Sequence, residues 1–392
     1  MTIPLTLPTP DPAAAAHSAR LAAVIRAEIA QCGGALPFAR FMELALYAPG
    51  LGYYSAGARK FGATGDFVTA PEITPLFARC LARQCQEILA HTGATLFELG
   101  AGSGIMAADL LRELETLDSL PERYLILELS ADLRARQRAT IVARVPHLAA
   151  RVQWLERLPD EGIRGVIIAN EVLDALPVQR FRITARGPRL LTVGWNGMDF
   201  DWRESEPDRL LTAAISDLQN TLAQALPQGY ESEFCDRLPA WIGALAAALA
   251  QGVLLFIDYG YGRDEYYHPE RRQGTLICHY RHRAHADPLI LVGLQDISAS
   301  VDFSAVAAAA VGAGLALAGF TSQADFLLSC GLLELLAETS LSATRAYLAQ
   351  AQTVKRLILP GEMGERFKAI ALTRGLPMPL RGFSRRTAHP YL

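Results

Sequence analysis

The residues best able to do chemistry sit in a short acidic, glycine-rich run, Glu98-Leu99-Gly100-Ala101-Gly102-Ser103-Gly104. It lies between a short apolar stretch, residues 95–99, and a helix-like one, residues 105–117. Glycines at a strand-to-helix junction let the backbone turn tightly and let a ligand approach it. The helix behind them offers unpaired N–H groups. A second acid, Glu128, closes the next apolar run, 24 residues after Gly104. A carboxylate at that place accepts the hydroxyls of a ribose. The dinucleotide fingerprint wants glycine where Ile105 stands. Glu98 instead puts a carboxylate beside the loop, which repels a pyrophosphate and suits an ammonium group. S-adenosylmethionine carries a ribose, an ammonium and a sulfonium, and no phosphate. The run together with Glu128 therefore matches S-adenosylmethionine better than NAD. The alternative is a tight helix-packing turn with no ligand.

Three further polar stretches compete for roles. Asn170, Glu171 and Asp174 follow the apolar run Gly165-Val166-Ile167-Ile168-Ala169. In open parallel sheets the ligand lies at the carboxyl ends of the strands, and the preceding strand points Glu171 at that crevice. The competing reading is a helix start, with Asn170 as cap and first-turn acids favoured by the dipole. His279, His282 and His285, with Arg281 and Arg283 between them, recur at steps of three, which on a helix puts three imidazoles on one face. No cysteine or carboxylate completes a metal spacing and the arginines repel a cation, so no metal is expected. A polar wall of a peptide groove, with Tyr259 contributing from the apolar run 253–258, is the functional reading; a solvated loop is the bland one. Residues 49–71 hold many glycines and two prolines and read as a long loop, which the aromatics Tyr53, Tyr54, Phe61 and Phe67 mark as ordered.

These residues need a scaffold. Continuous apolar runs at 95–99, 124–129, 152–155, 165–169, 253–258, 315–320 and 367–373 alternate with helical patterns such as 105–117, 131–144 and 303–313. That alternation predicts a parallel sheet covered by helices on both faces. Residues 303–324 carry no charge, yet Gly312 and Gly314 break them into a helix and a short strand rather than a membrane span. The expected organisation has a flexible Pro/Ala arm at 1–19 and a helical layer with a covering loop at 20–90. The core is expected at 91–202, 251–325 and 358–375. Helical insertions at 203–250 and 326–357 form a cap, and a basic tail occupies 376–392.

Composition narrows the function classes. Of 392 residues, 51% are hydrophobic and 20% charged, which excludes a disordered or low-complexity chain. The net charge of −3 leaves no excess of cations for a broad phosphate-binding surface, so no nucleic-acid partner is expected. Six scattered cysteines without a C-x-x-C pair read as buried thiols of a reducing compartment. With no basic n-region before an apolar core near the start, the expected location is cytoplasmic.

The motifs, taken in order, resemble the MidA-like family of class I S-adenosylmethionine-dependent methyltransferases, which includes mitochondrial complex I assembly proteins. The resemblance rests on GDFVTAPEITPLFA (65–78), LFELGAGSGIMAADLL (96–111), LILELSADLRARQ (125–137), ANEVLDALPVQRF (169–181), FIDYGYG (256–262), GLQDISASVDF (293–303) and GEMGERFKAIAL (361–372). It implies a Rossmann-like α/β fold with a mainly parallel seven-stranded sheet and additional helical insertions. It also implies methyl transfer to an arginine of a protein partner, with a respiratory-complex subunit as one candidate. Ala101 and Ser103 stand where the family more often has proline and arginine, which removes a positive group beside the cofactor. Against that background Phe67, Thr69, Glu98, Gly100, Gly102, Gly104, Glu128 and Asn170 are the expected cofactor residues. Phe67 would shield the site from water and Thr69 would bond the methionine carboxylate; ordinary packing of the N-terminal layer is the other reading of that segment. Glu171 and Asp174 are the expected catalytic pair, gripping a guanidinium. Tyr259, His279 and His282 are the expected substrate contacts. A non-catalytic assembly protein that keeps the fold is the second function class, and a nicotinamide-dependent oxidoreductase the third, which Ile105 and Glu98 oppose.

Overall fold

A computed structural model describes residues 7–56, 68–93, 95–338 and 344–385. The chain divides into two compact units. One comprises Val68–Leu173, Pro239–Tyr261 and Phe303–Leu392, the other Met1–Phe67, Asp174–Leu238 and Gly262–Asp302.

The first unit is built on seven strands: β1 (Thr95–Leu99), β2 (Arg123–Leu127), β3 (Val152–Leu155), β4 (Ile163–Asn170), β5 (Leu249–Tyr261), β6 (Ala316–Ser322) and β7 (Phe367–Arg374). Their order in the sheet is β6-β7-β5-β4-β1-β2-β3. Pairing is parallel from β5 through β3, and β7 runs antiparallel between β5 and β6. The apolar runs produce this sheet because strands buried on both faces have no side free for polar residues. All five residues of β1 are buried, as are all of β4 except Arg164. Helices α1 (Ala70–Ile73), α2 (Pro75–Thr92), α3 (Ile105–Thr116) and α4 (Ala131–Arg144) follow in the same unit. On one face Phe77, Leu81, Leu110 and Leu114 pack with Leu96, Ile126 and Ile168 in one core. On the other, Trp241 lies against Phe256 and Phe303 against Phe320, with ring centroids 5.9 and 5.3 Å apart. The uncharged stretch resolves into a helix, Phe303–Gly312, and the strand β6, separated by Gly314 at φ +79°. Among the described residues no helix is long and apolar enough to cross a membrane.

Several boundaries differ from the sequence expectation. The helices between β6 and β7 are not a detached cap: Phe326, Leu327, Leu335 and Leu357 belong to the sheet's own core. The segment expected to be a basic tail is anchored as far as Phe383. Gly382 N donates to Gln84 Oε1 at 2.8 Å, Arg381 pairs with Glu87 at 2.7 Å, and Phe383 meets Phe326 edge-on.

The second unit holds what the sequence reading missed. A five-stranded antiparallel sheet combines Ala35–Pro37, Gln179–Thr184, Gly187–Trp195, Phe200–Ser205 and Glu231–Phe234. Strand 179–184 alternates buried and half-buried residues, the pattern of a sheet with one covered face. Residues 203–250 are thus not purely helical; only Arg209–Thr221 and Leu238–Ala248 are. The N-terminal arm is a helix from Pro12 to Gln31, capped by Asp11, whose Oδ1 accepts the Ala14 N–H at 2.9 Å. Asp at the cap and Pro at the first helical position is a strong start signal. The histidine tract is a hairpin, Ile277–Tyr280 and Arg283–His285, with Arg281 and His282 at positive φ in the turn. Period-3 spacing on a hairpin puts no three imidazoles on one face.

Candidate active site

The glycine run joins β1 to α3 at the point where the strand order reverses, between β1 and β4. Gly100, Gly102 and Gly104 all have positive φ, +64°, +53° and +81°. Gly104 has no room for a side chain: a Cβ there would sit 2.9 Å from the Cα of Gln137 on α4. The loop is thereby pressed against the helix that follows β2.

Glu98 lies on β1, 1% exposed. Its Oε2 accepts the Tyr124 hydroxyl at 2.6 Å. Its Oε1 is buried and has no hydrogen-bond partner among the described residues. Burial pushes the carboxyl up to about 7; the Tyr124 bond opposes this and the nearby Glu128 charge adds to it. Level with the loop, at the end of β4, Asn170 donates its Nδ2 to Glu171 Oε1 at 3.1 Å, while its own Oδ1 is buried without a partner among the described residues. Two buried acceptors without a partner among the described residues thus lie at the ends of adjacent strands, where a ligand's donor could satisfy them.

Glu128 stands one residue beyond β2. Its Oε1 accepts the Ser130 N–H at 2.9 Å and its Oε2 the Gln137 amide at 3.0 Å. The carboxylate is half-buried, its plane fixed from both sides.

Glu171 is a non-glycine residue at φ +55°, a conformation held only where the surroundings over-determine it. Here they do. Asp258, 1% exposed at the end of β5, accepts the Val172 and Leu173 N–H groups on one oxygen at 3.1 and 2.9 Å. The Glu171 N–H reaches Ile257 O at 2.9 Å. Its Oε1 takes Asn170 Nδ2 and, more loosely at 3.4 Å, the Ala70 N–H of α1. The other end of α1 is fastened to the glycine loop, because the Ser103 hydroxyl donates to Glu72 Oε1. The four-residue helix α1 therefore bridges the two loops that carry Glu171 and the glycines.

Of the predicted residues, the structure brings together Glu98, Gly100, Gly102, Gly104, Glu128, Asn170 and Glu171. Thr69 caps α1 without a side-chain capping bond and is half-buried. Phe67 lies outside the described residues. Asp174 belongs to the other unit, where its carbonyl accepts the Ala299 N–H at 3.0 Å. His279 and His282 belong to that unit too, half-buried on the hairpin and exposed in its turn. Tyr259, on β5, packs edge-on against Phe367 at 5.5 Å. Tyr124 and Gln137 were not foreseen, and Glu72 and Asp258 had been read only as members of a covering loop and of a groove-lining stretch. Asp258 carried the same signal as Glu128, an acid closing an apolar strand. Gln137 carried a subtler one, an amide on the buried stripe Leu133, Gln137, Ile141 of α4.

The donor set fits S-adenosylmethionine. Glu98 and Asn170 offer buried acceptors of the kind an ammonium needs, Glu128 offers a fixed carboxylate of the kind that takes ribose hydroxyls, and the loop itself, residues 100–104, carries no cation for a pyrophosphate. Known proteins agree. A family described as putative S-adenosyl-L-methionine-dependent methyltransferase matches residues 80–321. The protein arginine methyltransferase NDUFAF7, mitochondrial, of Homo sapiens is 30% identical over 375 residues, covering 86% of this chain and 80% of that protein. Its Mus musculus counterpart is 29% identical over 370 residues, covering 86% and 81%. A likely methyl transferase from Burkholderia thailandensis, solved bound to S-adenosyl-homocysteine, is 47% identical with a TM-score of 0.93, covering 97% of this chain and 99% of its own. This chain belongs to the family of S-adenosyl-L-methionine-dependent methyltransferases.

Proposed function

We propose that this methyltransferase acts on an arginine side chain of a protein partner, and that Glu171 is the residue that grips the guanidinium. The observation that carries the reading is the strained backbone of Glu171. Two neighbouring residues of β5, Ile257 and Asp258, hold it at positive φ beside the glycine loop, an arrangement that costs stability. The relatives named protein arginine methyltransferases support the choice of nucleophile.

S-adenosylmethionine supplies an electrophilic methyl on a sulfonium leaving group when bound. This chain's residues do the rest by positioning. Glu98 and Asn170 hold the amino-acid end and Glu128 the ribose. Glu171 accepts guanidinium N–H bonds and orients the attacking nitrogen. Arginine arrives protonated, its pKa above about 12. A charge-assisted bond donated by the guanidinium to the carboxylate fixes the plane, and the same carboxylate can take up the proton released as the N–C bond forms and the S–C bond breaks. Tyr259 is proposed to meet the peptide around the arginine, and His279 and His282 are proposed as peptide contacts of the other unit. A respiratory-complex subunit is the protein class the family suggests. The free, buried thiols of Cys80, Cys85, Cys278 and Cys330 support a reducing compartment, the cytoplasm.

The test is transfer of labelled methyl from S-adenosylmethionine into proteins of a lysate lacking this protein, with the modified residue located by mass spectrometry. Label on arginine, lost with Glu171→Gln while S-adenosylhomocysteine still binds, is expected. Label on another residue type, or full turnover by Glu171→Gln, contradicts the reading.

A further inference from the structure

We infer that Gln137 is a positioning residue of the cofactor site: its amide sets the ribose-binding carboxylate of Glu128 and ties it to the glycine loop. The inference rests on the reading that Glu128 holds the ribose.

Gln137 is completely buried, in the middle of α4. A buried amide on an apolar helix stripe is costly unless its polar atoms are satisfied. Here both ends are. The Nε2 group donates to Glu128 Oε2 at 3.0 Å and to Gly102 O at 3.1 Å. The Oε1 accepts the Trp154 indole N–H, from β3, at 2.9 Å. The direction of this amide is dictated by its neighbours. Indole is only a donor, and a carboxylate and a carbonyl are only acceptors. Turning the amide over would break all three bonds and set oxygen against oxygen twice. Trp154 is steadied in turn by the Arg138 guanidinium, 4.8 Å from its ring centroid. The amide therefore acts as a rigid spacer between two parts of one ligand site. One is the acid after β2, at the ribose; the other is the loop after β1, at the amino-acid end. The close approach of Gly104 to the Gln137 backbone keeps the spacer at fixed distance.

A structural role alone would weaken the fold without regard to which ligand is offered. A positioning role predicts a loss specific to ligands that have the ribose hydroxyls. The test uses the full chain and calorimetric Kd values for S-adenosylhomocysteine and its 2′-deoxy analogue. Gln137→Leu should raise Kd for S-adenosylhomocysteine by about tenfold and that for the deoxy analogue by less than about threefold. In turnover, KM for S-adenosylmethionine should rise with kcat little changed. Trp154→Phe keeps the amide but removes the group that orients it, and should shift Kd the same way by a smaller factor. If Gln137→Leu does not fold, Trp154→Phe decides. Equal losses for both ligands, or none, overturn the inference. Glu128→Gln separates the layers. If it weakens S-adenosylhomocysteine and the Gln137 and Trp154 variants do not, only the relay is wrong. If it leaves S-adenosylhomocysteine untouched, the ribose reading falls and the relay with it.

Discussion

Cofactor affinity should depend on pH through Glu98. In the ligand-free protein, burial holds this carboxyl near 7, whereas an ordinary glutamate ionises near 4.3. The cofactor's ammonium selects the ionised form, so binding must drive the proton off. The magnitude follows from the populations. With a pKa of about 7, roughly 90% of the carboxyl is charged at pH 8 and roughly 10% at pH 6, so affinity should fall about tenfold over those two units. The ammonium stays protonated throughout and adds no slope of its own. The same shift sets the stability of the ligand-free protein. Because the folded state keeps the proton to higher pH than the unfolded chain, this group's stabilising contribution is complete below its unfolded pKa, near 4.3, and is lost as pH rises through about 7. Titration calorimetry with S-adenosylhomocysteine at pH 6, 7 and 8, in two buffers of different ionisation enthalpy, reads both the slope and the released proton. Glu98→Gln should flatten the profile and weaken binding most at pH 8. A wild-type affinity constant from pH 6 to 8, with no proton released, would refute the reasoning.

Related perturbations follow from the same geometry. Tyr124→Phe removes the bond that lowers the Glu98 carboxyl, so the midpoint of the affinity profile should move to higher pH; an unmoved midpoint separates Tyr124 from the site. Gly104→Ala puts a Cβ 2.9 Å from the Gln137 backbone at a residue with φ +81°, which should cost about 1–3 kcal/mol in denaturant unfolding and abolish S-adenosylhomocysteine binding. Asp258→Asn replaces the acceptor of two backbone N–H groups by a weaker one, worth about 1–3 kcal/mol. It should lower kcat more than tenfold through misplacement of Glu171, with the Kd for S-adenosylhomocysteine within about threefold of wild type. Glu72→Ala frees α1 from Ser103, and protease cutting near residue 70 should become faster in the variant than in the wild type.

The sheet and the glycine loop were legible in the sequence for one physical reason. Strands buried on both faces must be continuously apolar, and a loop that meets a ligand with its backbone must be glycine-rich. Val152–Leu155 and Ala131–Arg144 fall at the boundaries the pattern predicts. The second unit was harder because its strands are antiparallel and half-covered. Gln-Arg-Phe-Arg-Ile-Thr at 179–184 alternates weakly, with arginines whose charges are met by Glu231 and Glu204 across the sheet. The helix at Pro12 was readable from Asp11-Pro12 and was obscured by the prolines before it. Glu171 was singled out because it follows an apolar strand. Its left-handed backbone was not, since that depends on Asp258, more than 80 residues away. Gln137 and Tyr124 escaped for the same reason: their importance lies in partners on other strands, not in their own neighbourhood.

A crystal structure of the full chain with S-adenosylhomocysteine tests the central claim most directly. The ribose hydroxyls should lie on Glu128, and the amino group should reach Glu98 Oε1 and Asn170 Oδ1, two buried acceptors without a partner among the described residues. A ligand seated away from the glycine loop, or a ribose turned from Glu128, would contradict the account.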